Sequence, residues 1–186
     1  MTDFLFFHVQ TINLVLAVGG LVMLVATAVL IFDCTNNNQK LYIKYIAPYV
    51  WPIITISTIG GVMMTLLYSE VYGFVPCSLC WLQRIALYPQ ALMSILAFKM
   101  KDAVFFPLYG IVLSGFGLAV AIYQYIYQML PTEVRESGFA PCLADGSADC
   151  AQKIIDIFGF VTFPFLSAVL FAFLIILYLH LYRSAR

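Results

Sequence analysis

Long runs of uncharged, mainly hydrophobic residues dominate the chain, and short polar stretches separate them. Four of these runs contain no Asp, Glu, Lys or Arg: 9–32, 46–68, 103–130 and 157–182. A fifth run, 79–98, contains a single charge, Arg84. A hydrocarbon core of about 30 Å takes about 20 helical residues to cross, so each run is long enough for one transmembrane helix. The pattern predicts an all-α, polytopic membrane protein with five spans.

Composition agrees with a chain that lies in a lipid bilayer. The protein is 63% hydrophobic and only 10% charged, whereas soluble domains carry roughly 25% charged residues. Its formal net charge is zero, which argues against a nucleic-acid partner because phosphate binding takes a basic face. The first run has no basic stretch before it and is too long for a signal-peptide core, so we expect a retained helix.

Basic residues indicate how the spans are oriented. Five spans place the two chain ends on opposite sides, and one set of connections holds most of the basic residues: Lys40, Lys44, Lys99, Lys101, Arg183 and Arg186. The other set holds Arg84 at a helix edge, Arg135 and Lys153, together with most of the acidic residues. The positive-inside rule places the first set in the cytoplasm. We therefore predict an outside N-terminus, a cytoplasmic C-terminus and two outside loops.

Four of the five cysteines fall in the two predicted outside loops. Cys77 and Cys80 lie in the first loop, Cys142 and Cys150 in the second, and Cys34 follows the first span on the cytoplasmic side. Disulfides persist outside the cytoplasm and are rare within it. Two pairs on two loops indicate either a disulfide framework or a redox relay. Cys34 is expected to take no part in either.

The segment Cys77-Ser-Leu-Cys80 opens the third span, directly after Pro76. Unpaired backbone N–H groups and the helix dipole stabilise a thiolate at a helix start. A disulfide that closes so small a ring is strained and easily exchanged. We therefore expect a reactive cysteine pair at the tip of this helix.

Arg84 follows Cys80 by four residues, which places both on one helix face. A charge inside a span is costly and usually has a functional role or a partner, although a side chain near a helix end also reaches the interface by extending toward water. We interpret Arg84 as a residue that holds a carbonyl-bearing acceptor against the Cys80 sulfur. Trp81 is a candidate to cover the ring of such an acceptor, with an interfacial anchor as the alternative.

Other interpretations of the cysteines stay open at this point. The second pair is spaced Cys-x7-Cys in an acidic loop without histidine, unlike the usual zinc patterns, so no metal site is predicted. Two purely structural disulfides in a membrane scaffold would also fit the spacing. Structural bridges resist mild thiols, whereas relay cysteines exchange with them.

The segment PCSLCWLQRIALYPQ resembles the DsbB family of membrane thiol oxidases, in particular its BdbC-like branch. The resemblance extends over roughly 46–182 and rests on these residues: Cys77, Cys80, Trp81, Gln83, Arg84, Tyr88, Pro89, Pro141, Cys142, Cys150 and the run 158–167. The family implies a four-helix bundle and a bound quinone, ubiquinone or menaquinone. It also implies a separate DsbA-like partner of the thioredoxin fold that the membrane protein reoxidises.

The same resemblance implies a role for each residue of the site. The partner thiolate would attack Cys142, and Cys150 would then resolve the mixed disulfide and exchange with Cys77. Cys80 would be the thiolate nearest the quinone, with Arg84 beside the ring. The chain departs from the family in the first span, which is extra to the four-helix pattern, and in the short spacing between Cys142 and Cys150.

These inferences give one hypothesis for the whole chain. Residues 1–45 form an extra N-terminal transmembrane helix with a cytoplasmic loop, and 46–186 form a DsbB-like four-helix membrane domain. The protein is predicted to be a protein-disulfide oxidoreductase of the bacterial inner membrane with a quinone as electron acceptor. The alternatives are a quinone reductase similar to vitamin K epoxide reductase, in which the CxxC would follow the loop pair, and the non-enzymatic scaffold.

Overall fold

The computed structural model describes residues 9–35, 45–131 and 150–185. Within these ranges the chain forms five long helices: α1 (Val9–Thr35), α2 (Val50–Leu66), α3 (Ser78–Met100), α4 (Phe105–Met129) and α5 (Phe163–Ser184). A 3-10 turn, Ala47–Tyr49, leads into α2, and a π-helical turn, Leu67–Val71, continues it. The described residues hold no strand beyond one isolated bridge. The predicted all-α fold is confirmed.

Helices α2 to α5 form a bundle, and α1 packs against its outside. In chain order, α2 packs on α3, α3 on α4 and α4 on α5, while α5 also contacts α2 and α1. At one end of α1, the Tyr68 hydroxyl donates a hydrogen bond to Asn13. At the other end, His180 Nε2 lies 3.2 Å from the Leu30 carbonyl oxygen. The prediction of a four-helix bundle with one extra helix is therefore confirmed, whereas the domain boundary at residue 45 stays a prediction.

Four of the described helices are long and apolar enough to cross a membrane: α1, α2 with its flanking turns, α4 and α5. Helix α3 is less apolar because it carries polar residues such as Arg84 and Gln90, which are buried inside the bundle rather than facing lipid. It is 23 residues long, close to the 25 residues of α4. Residues 101–104 join the two helices, and they pack side by side. A helix of this length beside a spanning helix is long enough to cross the same thickness, and α3 as the fifth predicted span stays a prediction.

The bundle has two chemically different ends. The start of α3, the end of α4 and the segment before α5 meet at one end, which we call the cysteine end because Cys77, Cys80 and Cys150 lie there. The end of α3 and the end of α5 carry Lys99, Lys101 and Arg183 at the other, which we call the lysine end. Cys34 belongs to the lysine end, since Arg183 Nη1 lies 2.8 Å from its sulfur.

Close approach between helices depends on particular glycines. A side chain at Gly110 would collide with the Tyr178 ring, and one at Gly117 with the Phe171 ring. Gly60 and Gly115 have nothing within 4 Å of the position a Cβ would take. Small residues therefore allow close helix approach at Gly110 and Gly117, whereas Gly60 and Gly115 take no part in such a contact.

The last span begins later than the hydrophobic pattern predicts. The uncharged run starts at residue 157, but α5 begins at Phe163. Phe158 and Gly159 have positive φ angles of 58° and 76°, which a helix does not accommodate. Two backbone hydrogen bonds of 3.0–3.1 Å between Ile157 and Val161 close this turn. The turn holds the segment after Cys150 against the bundle.

Candidate active site

The CxxC motif adopts the helix start that the sequence predicts. Cys77 is extended, with φ −71° and ψ 170°, and α3 begins at the next residue. Its sulfur accepts a hydrogen bond from the Cys80 backbone N–H at 3.4 Å, and its carbonyl accepts one from Trp81 N–H at 3.0 Å. Cys77 therefore caps the helix with its own sulfur, which draws the sulfur toward the positive end of the helix dipole.

The two sulfurs of the motif are in contact but not bonded. Both cysteines are free, and their Sγ atoms lie 2.9 Å apart. Cys77 is 5% exposed. The hydrogen bond that joins its thiol to Cys80, together with burial, raises the pKa of Cys77 above its ordinary value. Of the two thiols, Cys77 is therefore the one that holds its proton more tightly.

An amide side chain from α4 completes the surroundings of the sulfurs. Gln124 Nε2 donates to Cys77 Sγ at 3.4 Å and to Cys80 Sγ at 3.5 Å. Gln83 Nε2 in turn donates to Gln124 Oε1 at 2.6 Å. Because Gln124 Oε1 accepts this hydrogen bond, the NH2 end of the Gln124 amide faces the cysteines.

Cys150 lies beside this pair and is in a disulfide bond. It is 1% exposed and belongs to the same buried cluster as Cys77 and Leu79. Its sulfur is 4.0 Å from Ser78 Oγ, and Gln128 Nε2 donates to its carbonyl oxygen and to that of Gln152 at 3.3 Å. Cys142, the remaining predicted site cysteine, lies outside the described residues.

A cavity extends from the sulfurs into the bundle between α2, α3, α4 and α5. About 120 Å³ of this cavity is accessible to water-sized molecules, and part of the cavity is open to the surroundings. Its lining includes both CxxC cysteines and Arg84, together with Tyr68, Leu87 and other largely apolar side chains.

Arg84 is 8% exposed and lies at the wall of this cavity. Its Nη2 donates to the Thr65 carbonyl oxygen at 2.9 Å. No carboxylate within the described ranges pairs with it, since the ion pair found there joins Lys153 and Asp156. Trp81 does not line the cavity. Its ring is 52% exposed, 5.1 Å from the Arg84 guanidinium, so its predicted contact with a ring-shaped ligand stays a prediction.

Three glutamines of the site were not found from the sequence as functional residues: Gln83 as a partner of Gln124, Gln124 itself and Gln128. The sequence does carry a signal for Gln124 and Gln128, because they are polar residues four apart in a long uncharged run. Polar side chains at that spacing share one face of a helix and mark a bundle interior rather than a lipid face.

Comparison with known proteins identifies the family. The family model described as "Disulfide bond formation protein DsbB" matches residues 48–181. The chain is 44% identical over 117 residues to a "Probable disulfide formation protein" of Oceanobacillus iheyensis, which covers 63% of this chain and 76% of the relative. It is 34% identical over 127 residues to "Disulfide bond formation protein C" of Bacillus subtilis, covering 68% and 84%.

A third relative, "Probable disulfide formation protein C 2" of Bacillus anthracis, is 30% identical over 138 residues, covering 74% of this chain and 91% of the relative. No solved structure gives a significant match. The family match spans all four bundle helices, their cysteine motif and the Cys150 segment. The chain therefore belongs to the DsbB family of disulfide bond formation proteins and is a multi-pass membrane member of it.

Proposed function

We propose that this protein is a membrane thiol oxidase that passes electrons from a DsbA-like thioredoxin-fold partner, through two cysteine pairs, to a membrane quinone. The observation that carries the proposal is the contact at the cysteine end. There the Cys150 disulfide packs in one buried cluster with the free Cys77 and Cys80 pair, at the mouth of a cavity lined by Arg84.

Thiol–disulfide exchange accounts for the first part of the route. A partner thiolate attacks Cys142, breaks the Cys142–Cys150 bond and forms a mixed disulfide, and Cys150 leaves as a thiolate. The second thiol of the partner then attacks the mixed disulfide, and the partner leaves with its own disulfide formed. Two electrons and two protons thereby pass to this chain. Reoxidation of Cys142 and Cys150 by the Cys77–Cys80 disulfide moves the electrons to the helix tip. Each exchange breaks one S–S bond and forms one.

The cavity residues fit a quinone. A quinone ring takes apolar walls and donors for its two carbonyl oxygens, and Arg84 has five N–H donors of which one bonds Thr65. Gln128 Oε1, also at the cavity, is buried without a partner among the described residues, and would accept a hydrogen bond from a hydroxyl group of the reduced quinol. A bound quinone, ubiquinone or menaquinone, would supply the two-electron, two-proton acceptor that renews the Cys77–Cys80 disulfide.

The relatives and the charge pattern support a bacterial inner-membrane location with the site on the outer face. The similar proteins come from bacteria. Lys99, Lys101 and Arg183 lie at the lysine end, and the positive-inside rule places that end in the cytoplasm. The cysteine end then faces the compartment in which disulfides persist.

The proposal is tested with purified protein in vesicles that contain ubiquinone or menaquinone, supplied with a reduced DsbA-like partner. We expect Cys77→Ser, Cys80→Ser, Cys142→Ser and Cys150→Ser each to abolish reoxidation of the partner. Each of these four sulfurs forms and breaks a disulfide bond in the proposed route. Cys34→Ser is the matched control and retains turnover. Partner reoxidation is followed by trapping free thiols over time.

A second measurement addresses the acceptor directly. A thiolate at Cys80 beside a quinone ring changes the quinone absorbance spectrum, and Cys80→Ser removes that change. Normal turnover in Cys80→Ser protein would contradict the proposed route. Turnover that proceeds equally well in vesicles without quinone would contradict the proposed acceptor.

A further inference from the structure

Gln124 stands out because, among the described residues, its side chain donates a hydrogen bond to both sulfurs of the motif. It lies on α4, 44 residues after Cys80, and is 3% exposed. Its Nε2 group donates to both sulfurs at 3.4–3.5 Å, which is a normal separation for a hydrogen bond to the large sulfur atom. Burying an amide side chain in a helical span costs free energy unless its N–H and C=O groups are hydrogen-bonded.

The orientation of this amide is set by its neighbour. Gln83 donates to Gln124 Oε1 at 2.6 Å, so the carbonyl end of Gln124 faces Gln83 and the NH2 end faces the cysteines. If the Gln124 amide alone rotated by half a turn, its oxygen would face the sulfurs and its NH2 group would face the NH2 group of Gln83. Gln83 and Gln124 together therefore behave as one fixed donor directed at the sulfurs.

We propose that Gln124 is a catalytic residue of this site, a donor that stabilises the Cys80 thiolate, and that Gln83 is its positioning residue. The inference rests on the proposed function for its biological use. Hydrogen bonds to a charged atom in a buried site are stronger than those between neutral groups. They favour the reduced pair, with its thiolate, over the disulfide, in which no sulfur is charged. Gln124 thereby makes the Cys77–Cys80 disulfide a stronger oxidant.

Other groups around Cys80 contribute to the same charge balance. On α3 these are Cys77 and the Arg84 guanidinium. The π-helical turn contributes Tyr68, and α4 contributes Tyr127 from the surrounding cluster. From α5 the cavity receives apolar side chains and Ser167, and Cys150 does not titrate because it is disulfide-bonded. Arg84 acts through its charge, whereas Gln124 acts through direct donation, so the two are separable by substitution.

The test measures how the reactivity of Cys80 depends on pH in reduced, full-length Cys34→Ser protein. Iodoacetamide alkylates thiolates, and mass spectrometry reports the rate at Cys80. We expect Gln124→Glu, which keeps the size of the side chain but replaces the donor with a carboxylate, to raise the midpoint pH of alkylation by about one to two units. Gln124→Leu raises it by less, since it adds no negative charge.

Gln90→Leu is the matched control. Gln90 is a buried glutamine of α3 that accepts hydrogen bonds from Ser114 and Tyr178. Its replacement removes a comparable buried amide from the bundle but leaves the surroundings of the sulfurs unchanged. We expect its midpoint to equal that of the parent protein. Gln83→Leu leaves Gln124 in place but releases its orientation, and raises the midpoint in the same direction. It also keeps the proposal testable if the Gln124 variants do not fold.

A second readout is the equilibrium between the Cys77–Cys80 pair and glutathione. If the midpoint pH of Cys80 rises by about one unit, the equilibrium constant for reduction of the Cys77–Cys80 disulfide falls about tenfold. This corresponds to a decrease of about 30 mV in its reduction potential. An unchanged midpoint in folded Gln124→Glu protein, or an equal shift in Gln90→Leu, would overturn the proposal. Neither readout takes a quinone or a partner, so failure of the proposed function leaves the result of this test intact.

Discussion

At the scale of single residues, the unusual feature is a cation held inside a bundle of membrane helices. Arg84 is buried, bonds one carbonyl oxygen and lies over one aromatic ring. No carboxylate among the described residues pairs with it, and a buried charge without a counter-charge is costly, which agrees with the ligand that the proposed function assigns to the adjacent cavity. The cavity offers such a ligand space next to the reactive sulfurs.

Replacing Arg84 with lysine separates charge from geometry. Arg84→Lys keeps the positive charge but loses the planar set of donors, so we expect the KM for quinone to rise about tenfold or more. Thiol exchange between the partner and the cysteines is expected to continue. The measurement is partner reoxidation at a series of quinone concentrations. Arg183→Lys, at the lysine end, is the control, and an equal rise in KM there would contradict the assignment.

The residues with charge or sulfur could be predicted from the sequence, whereas the amides around them could not. Cys77, Cys80 and Arg84 lie within one helical segment, so their spacing alone shows that they share a face. Gln124 reaches the sulfurs from another helix, 44 residues away. The rotation of α4 relative to α3 depends on how their side chains pack, and this rotation is not encoded in any local spacing.

At the scale of elements, two glycines on α4 differ in what they pack against. Gly117 faces the buried Phe171 ring, whereas Gly115 faces open space. We expect Gly117→Ala to destabilise the bundle by about 1–3 kcal/mol because α4 and α5 must move apart. Gly115→Ala is expected to be neutral or slightly stabilising, since alanine favours a helix. Thermal unfolding in detergent measures both, and equal effects would contradict the packing.

Helix positions followed from the hydrophobic runs except where backbone conformation decided them. The bounds of α1, α2, α3 and α4 lie within a few residues of the predicted runs. The start of α5 does not, because residues 157–161 are apolar yet form a hydrogen-bonded turn with two positive φ angles. Hydrophobicity predicts which residues avoid water, but Phe158 and Gly159 show that it does not distinguish a helix from a compact apolar turn.

At the scale of the whole molecule, the cysteine and lysine ends give the protein a direction across the membrane. Lys153 lies near the first end and Lys99 at the second, and both are exposed. In protein whose five cysteines are replaced with serine, we expect an impermeant maleimide to label Lys153→Cys in intact cells. Lys99→Cys should be labelled only after permeabilisation. Labelling of both positions from one side would contradict the orientation.

The extra helix α1 is tied to the bundle along its length rather than attached by its connection alone. It contacts the π-helical turn through Asn13 and Tyr68, and α5 through the Leu30 carbonyl oxygen and His180. Tyr68 also lines the cavity. The helix therefore supports one wall of the site, which the sequence did not indicate because α1 carries no charged residue before Asp33.

The burial of Cys150 decides how another protein can enter this system. An incoming thiolate must approach a sulfur in line with the bond that it breaks, and Cys150, which is 1% exposed within a buried cluster, offers little room for that approach. Under the proposed function, a partner thiolate is thus directed to the other sulfur of the same bond. Electrons would then reach the Cys77 and Cys80 pair only after that first exchange.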